Sequence, residues 1–312
     1  MKKINVITAA VFAAAAMGLC SCSVGFMNTA SIGTYDNADK YTAGDLETTE
    51  KIEAVDIEWA SGKVDITTGG SGSVTVKETA KTELSDKEKV HTWVNGGVLY
   101  VKFCKSGEKV DGDSDKRVEI TLPEGVVLDK LTAEASSADV KVNGVSAKTA
   151  SFEASSGELE YYGNAGSIDF ETSSGNISFK GEADSISAEA SSGEVTIEQS
   201  GEGSSLSVET SSGDISVSAN ITGKFSTESS SGEHIIKLGS TPSSTRIESS
   251  SGDVKLTLPE SAEFNATIDT SSGDVSYELP MQKTGDNSYT CGSSNNELGI
   301  ETSSGDVKIL KN

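Results

Sequence analysis

The stretch Ile168-Asp169-Phe170-Glu171-Thr172-Ser173-Ser174-Gly175-Asn176-Ile177-Ser178-Phe179 decides how this chain folds. Ile168, Phe170 and Thr172 alternate with polar residues, the period-2 pattern of a half-buried strand. After the glycine Ile177 and Phe179 alternate again, but on odd positions where the first set is even. One extra residue at the corner therefore re-aims the chain, as a bulge or bend does, and both strands keep facing one interior. Glycine is expected there because it supplies positive φ at no steric cost.

Working outward, the same phase returns at Leu206, Val208, Ile215 and Val217, and again at Ile268, Val275 and Tyr277. The corner glycines are Gly157, Gly175, Gly193, Gly213, Gly232, Gly252, Gly273 and Gly305, with Ala138 in the equivalent place at the start. Successive gaps are 19, 18, 18, 20, 19, 20, 21 and 32 residues. A period near 20 marks a stack of coils, none of which buries its apolar side alone. Two short strands per coil predict an all-β fold, a parallel β-helix or β-solenoid. The long last interval holds an insertion, 281–297, placed to cover the final coil.

Residues 51–130 carry a looser version of this design, with a diverged corner at Ser61-Gly62 and strands near Val98 and Arg117. Terminal repeats diverge because an end coil must shield the core from water. Before them, 23–50 is polar and aperiodic, which predicts a flexible tether. Lys2 and Lys3 precede an apolar run that ends in Leu19-Cys20-Ser21-Cys22, the layout of an export signal. The predicted organisation is a signal peptide over 1–21, a tether over 22–50, a diverged β section over 51–130 and the regular solenoid over 131–312.

The Leu19–Cys22 stretch resembles a bacterial lipobox, which implies a lipid on Cys22 and an exported protein anchored to the cell envelope. The chain has 312 residues and a formal charge of -23, becoming about -25 once Lys2 and Lys3 are cut away. Such a body repels nucleic acid and anionic headgroups. Two cysteines, Cys104 and Cys291, remain; a linear stack holds them too far apart for a disulfide.

Acids recur on both sides of the corners. Four positions before it stand Glu134, Glu153, Glu171, Glu189, Glu209, Glu228, Glu248, Asp269 and Glu301. Immediately after it stand Asp139, Glu158, Asn176, Glu194, Asp214, Glu233, Asp253, Asp274 and Asp306. Stacking turns these into two columns. The second reads as turn chemistry, since Asp or Asn beside Gly bonds turn backbone. The first is not explained that way, because like charges about 4.8 Å apart repel. Solvent screening, a cationic partner or weakly bound Ca²⁺ would each offset the cost. If calcium binds, its candidate ligands are Glu171, Glu189, Glu209, Glu228, Glu248, Asp214, Asp253 and Asp274. No other cofactor is indicated.

Catalytic patterns are lacking. His234 falls where other coils place Val, Leu or Ile, and reads as a rung residue; His91 has no visible Ser or Cys partner set. The opening strand with its corner, the strand ending in Leu122-Pro123 and the run of SSGD-type corners resemble the bacterial β-strand-repeat family named "putative adhesin". That resemblance implies a β-helical envelope protein, with some relatives tied to envelope stress. The expected role is noncatalytic adhesion, scaffolding or stress-related interaction with an envelope protein or polysaccharide. A polysaccharide-active β-helix enzyme is the alternative.

Overall fold

The computed structural model describes residues 29–70 and 72–312. Within it the chain is a parallel β-solenoid whose coils each contribute a strand before the corner and a strand after it. Ser146–Ser156 pairs in parallel with Ala165–Ser174, which pairs with Ala183–Ser192. The strands after the corner follow suit, Leu159–Tyr162 on Ile177–Gly181 and then on Val195–Ser212. Registry is one-to-one: Phe152 opposes Phe170, and Glu153 opposes Glu171.

This registry builds the core as columns of stacked side chains. Leu131, Ala150, Ile168 and Ile186 stack in one, and Val140, Leu159, Ile177 and Val195 in another. Aromatics stack within columns, Phe152 on Phe170 at 5.3 Å and Tyr161 on Phe179 at 6.0 Å between ring centroids. The Tyr161 hydroxyl has the Asn164 carbonyl at 2.9 Å and the Val145 carbonyl at 3.0 Å to receive its one proton, so its polar atom is satisfied inside.

Coil order departs from chain order at both ends. Ser244–Ser251, in the Gly252 coil, pairs with Glu297–Ser304, not with Phe264–Ser272. Phe264–Ser272 pairs with the other edge of Glu297–Ser304. The Gly305 coil is therefore inserted between the Gly252 and Gly273 coils. The insertion does lie over the final rung, but that rung is the Gly273 coil: Ser288–Cys291 runs antiparallel on Phe264–Ser272. At the other end Val98–Lys102 and Arg117–Leu122 lie outside Ala54–Thr68, which pairs inward with Val127–Asn143. The stack thus has eleven parallel rungs among the described residues, and the first and last complete coils of the chain are each sandwiched.

The tether expectation fails for residues 29–50, which pack on the amino-terminal end. Thr29–Ala30 pairs with Val110–Asp111, Thr42–Ala43 with His91–Asn95, and Leu46–Thr48 with Val74–Thr79, all antiparallel. Strands of two or three residues are too short to show alternation. Tyr41 packs at 5.6 Å from Trp93, and Tyr35 at 4.9 Å from Tyr41. The Tyr35 hydroxyl donates to the Cys104 carbonyl at 3.0 Å. Cys22 lies outside the described residues. Cys104 and Cys291 are free and buried, at opposite ends of the stack. No helix among the described residues is long and apolar enough to cross a membrane.

The amino-terminal end is plugged by Lys116, which occupies the corner position beside Gly62 and is fully buried. Its Nζ lies 2.9 Å from Glu78 Oε1, donates to the Glu88 and Phe103 carbonyls, and sits 4.2 Å from the Phe103 ring centre. Burial pulls its pKa below the usual lysine value, and Glu78 opposes that shift.

Candidate functional site

The acids four positions before the corner form one continuous line. Reading along the stack, Glu58, Glu134, Glu153, Glu171, Glu189, Glu209, Glu228, Glu248, Glu301 and Asp269 oppose one another in register. Glu58 is an addition to the predicted set, legible in hindsight as four positions before Gly62. A strand's alternation places all ten on the outer face, between residues that point inward. Glu134, Glu153, Glu171, Glu228, Asp269 and Glu301 are exposed, and Glu189, Glu209 and Glu248 are half-buried.

Lys102 closes the amino-terminal end of this line. It opposes Glu58 across the pair of strands, its Nζ lying 2.6 Å from Glu58 Oε1 and 3.0 Å from Asp56 Oδ1. The two carboxylates outweigh burial and raise the lysine's pKa. At Glu248 the Arg246 guanidinium makes an ion pair. Between these two points the line carries like charge on like charge. Burial raises the pKa of Glu134, of Glu189 and of Glu209, and in each case the flanking acids of the line push the same way.

The second column serves the backbone. Asp139 Oδ1 accepts the Glu158 N–H, Asn176 Oδ1 that of Glu194, and Asp214 Oδ1 that of Glu233, at 2.8–3.2 Å. Asp253 Oδ1 takes the Asp306 N–H, and Asp306 Oδ1 that of Asp274. This is corner chemistry, as one of the two expectations had it, but the bond runs to the next rung rather than within the same turn. Asp214 and Asp253 are thereby engaged, and Asp274 stands on the last rung. The acids of the line enter one per coil, and among the described residues no group of three or more His, Cys, Asp and Glu side chains converges to hold a metal.

Corner glycines are required for space more than for φ. Only Gly157, Gly193 and Gly232 have φ in the glycine-favouring region, at 143°, 148° and 152°. Gly175, Gly213, Gly252, Gly273 and Gly305 do not, contrary to expectation. What all eight share is a neighbour's carbonyl: a β-carbon would stand 1.9–2.1 Å from the oxygen of the corner residue one rung away. Corners stack so tightly that hydrogen would be the only side chain with room. This closeness follows from the rung spacing and was invisible in a single repeat.

His234 is fully buried between Ile215 and Val254 in its column. Thr227 Oγ1 meets its Nδ1 at 3.0 Å and Ser229 Oγ its Nε2 at 2.7 Å. Burial pushes its pKa down to about 4, so the ring is neutral and sealed from any substrate. His91 is buried, with Nδ1 2.9 Å from the Lys89 carbonyl.

Residues 52–310 match the Toastrack DUF4097 family. No curated protein matches the chain. Among solved structures, a "putative adhesin" from Parabacteroides distasonis is 12% identical, covering 88% of this chain and 97% of that one, with a TM-score of 0.50. A "putative adhesin" from Bacteroides fragilis is 12% identical over 86% of this chain and 96% of that one, with a TM-score of 0.42. The family match runs nearly from the first strand of the stack to the last, and the chain is a member of the Toastrack DUF4097 family.

Proposed function

We propose that this chain is a noncatalytic interaction module of the bacterial cell envelope, anchored by a lipid on Cys22 and presenting its acid-lined face for adhesion, scaffolding or envelope-stress sensing. One observation carries the reading: the line from Glu58 to Asp269 runs through ten rungs without a break. Catalysis needs a few unlike groups gathered at one place, whereas a repeated surface suits a long or repeating partner. The charge of the line selects a cationic patch on an envelope protein or polysaccharide. A solved structure of similar fold carries the name "putative adhesin", which supports an adhesion role.

The anchor sits close to the body. Seven peptide links join Cys22 to Thr29, which pairs with Asp111 at the amino-terminal end of the stack. Fully extended, they reach about 25 Å. The amino-terminal end of the solenoid is then held near the membrane and the Gly273 end points away.

The test is capture from envelope extracts by the immobilised body, with and without Glu171→Gln, Glu189→Gln, Glu209→Gln and Glu228→Gln together. Partners should be retained by the unaltered face, be released by salt, and be lost with the four substitutions. An identical captured set from both proteins overturns the acid-face reading. Anchoring is tested separately by fractionation, where Cys22→Ala should leave the membrane.

A further inference from the structure

The end of the stack that points away from the anchor is only half covered. On the Gly273 rung, the strand before the corner is capped by Ser288–Cys291, while Val275–Tyr277 after it pairs with Val307–Lys311 alone. Val307 N donates to the Asp274 carbonyl and Glu278 N to the Ile309 carbonyl, both at 2.9 Å. In a parallel ladder successive residues face opposite edges. The N–H and C=O groups of Val275 and Tyr277 therefore point outward, and no partner strand lies beyond them among the described residues.

The core is open at the same place. Tyr277 belongs to the column of Leu256 and Ile309, each 0% exposed, yet is itself 40% exposed. Val275 is half-buried where Val254 and Val307 are sealed. The Tyr277 ring touches Tyr289 edge to face at 5.8 Å, which holds it over the gap. Unpaired backbone and an uncovered interior column coincide, as at a missing rung.

We infer that this edge takes an extended, basic-flanked segment of a partner protein as one further strand. The inference rests on the interaction-module reading and names a second, terminal site for it. Charge selects the occupant. Asp274 and Glu278, both exposed, bracket the edge, so Lys or Arg is favoured at each end of the incoming strand. Lys308 stands one rung inside, beside Ser276, so the middle of that strand is best left without a positive charge. Small apolar residues at the alternate positions would cover Val275 and Tyr277. A second copy of this chain is disfavoured: antiparallel pairing of the two edges sets Asp274 opposite Glu278 of the other molecule.

The probe is an acetylated, fluorescein-labelled lysine-valine-threonine-valine-lysine peptide, titrated into the body by fluorescence anisotropy. Binding should weaken at least ten-fold when the peptide's backbone amides are N-methylated, and likewise when glutamate replaces both lysines. Val275→Pro should do the same at an unchanged Tm, because an edge strand tolerates proline where its N–H is unbonded. Tyr277→Ser supplies a second variant, and Asp274→Lys with Glu278→Lys should reverse the preference between flanks. Peptide binding that ignores both Val275→Pro and Tyr277→Ser overturns the inference. If binding instead disappears with the four glutamine substitutions alone, the acid line is the site, and the edge proposal fails while the acid-face reading stands. Dimers by light scattering that Val275→Pro dissolves would show a second copy as the occupant and overturn it too.

Discussion

The carbonyl oxygen of Gly193 lies 1.9 Å from the point a β-carbon on Gly213 would occupy. Neither partner can yield, since the carbonyl belongs to a backbone hydrogen-bonded into the stack. Gly213→Ala should therefore cost at least about 2 kcal/mol. Gly299→Ala is the control, because its nearest neighbour, the Thr245 carbonyl, is 3.8 Å away. Chemical denaturation of both variants checks this; equal midpoints would mean the corners can spread apart.

The inserted position of the last coil predicts an unusual response to truncation. Leu298, Ile300, Val307 and Ile309 are all buried, each worth roughly 1.5–3 kcal/mol, and removing 297–312 also strands the Gly273 rung. In a stack ordered as the chain is, trimming the last coil would cost only one interface. Limited proteolysis of a chain ending at Asn296 should cut readily from about residue 259 onward, whereas the intact chain should resist.

His234 sets a limit on acid stability. Its folded pKa of about 4 lies below the ordinary 6.5, so the unfolded chain binds its proton first. The stability contributed is fully present above 6.5 and is lost as pH falls toward 4, by about 3 kcal/mol. His234→Val, matching its column neighbours, should flatten the Tm profile in that window. The readout is the slope, because the variant also leaves the Thr227 and Ser229 hydroxyls without the ring.

Glu189 and Glu209 act in the opposite direction. Their folded pKa values are raised above 4.5, so their contribution is present below 4.5 and is lost as pH rises through the folded values. Glu189→Gln with Glu209→Gln should raise the Tm at pH 7 and do little at pH 4. Added salt should narrow the gap by screening the line. A lower Tm for the double variant at pH 7 would mean that the column is held by something other than tolerance of repulsion.

Much of the architecture was legible because it is local. Alternation in Ile168–Phe179 with its phase shift at Gly175 specifies a corner between two inward-facing strands, and repetition makes it a stack with acid columns. What repetition leaves open is which coil adjoins which. The Gly252, Gly273 and Gly305 corners are nearly interchangeable in sequence, so only the tertiary structure placed Glu301 between Glu248 and Asp269. Lys102 beneath Glu58 and Tyr41 against Trp93 likewise join segments that share no period. Strand pattern determines the shape of each rung through the alternation of side chains; the order of rungs, their plugs and the closeness of their corners arise from contacts between distant segments, which no local pattern encodes.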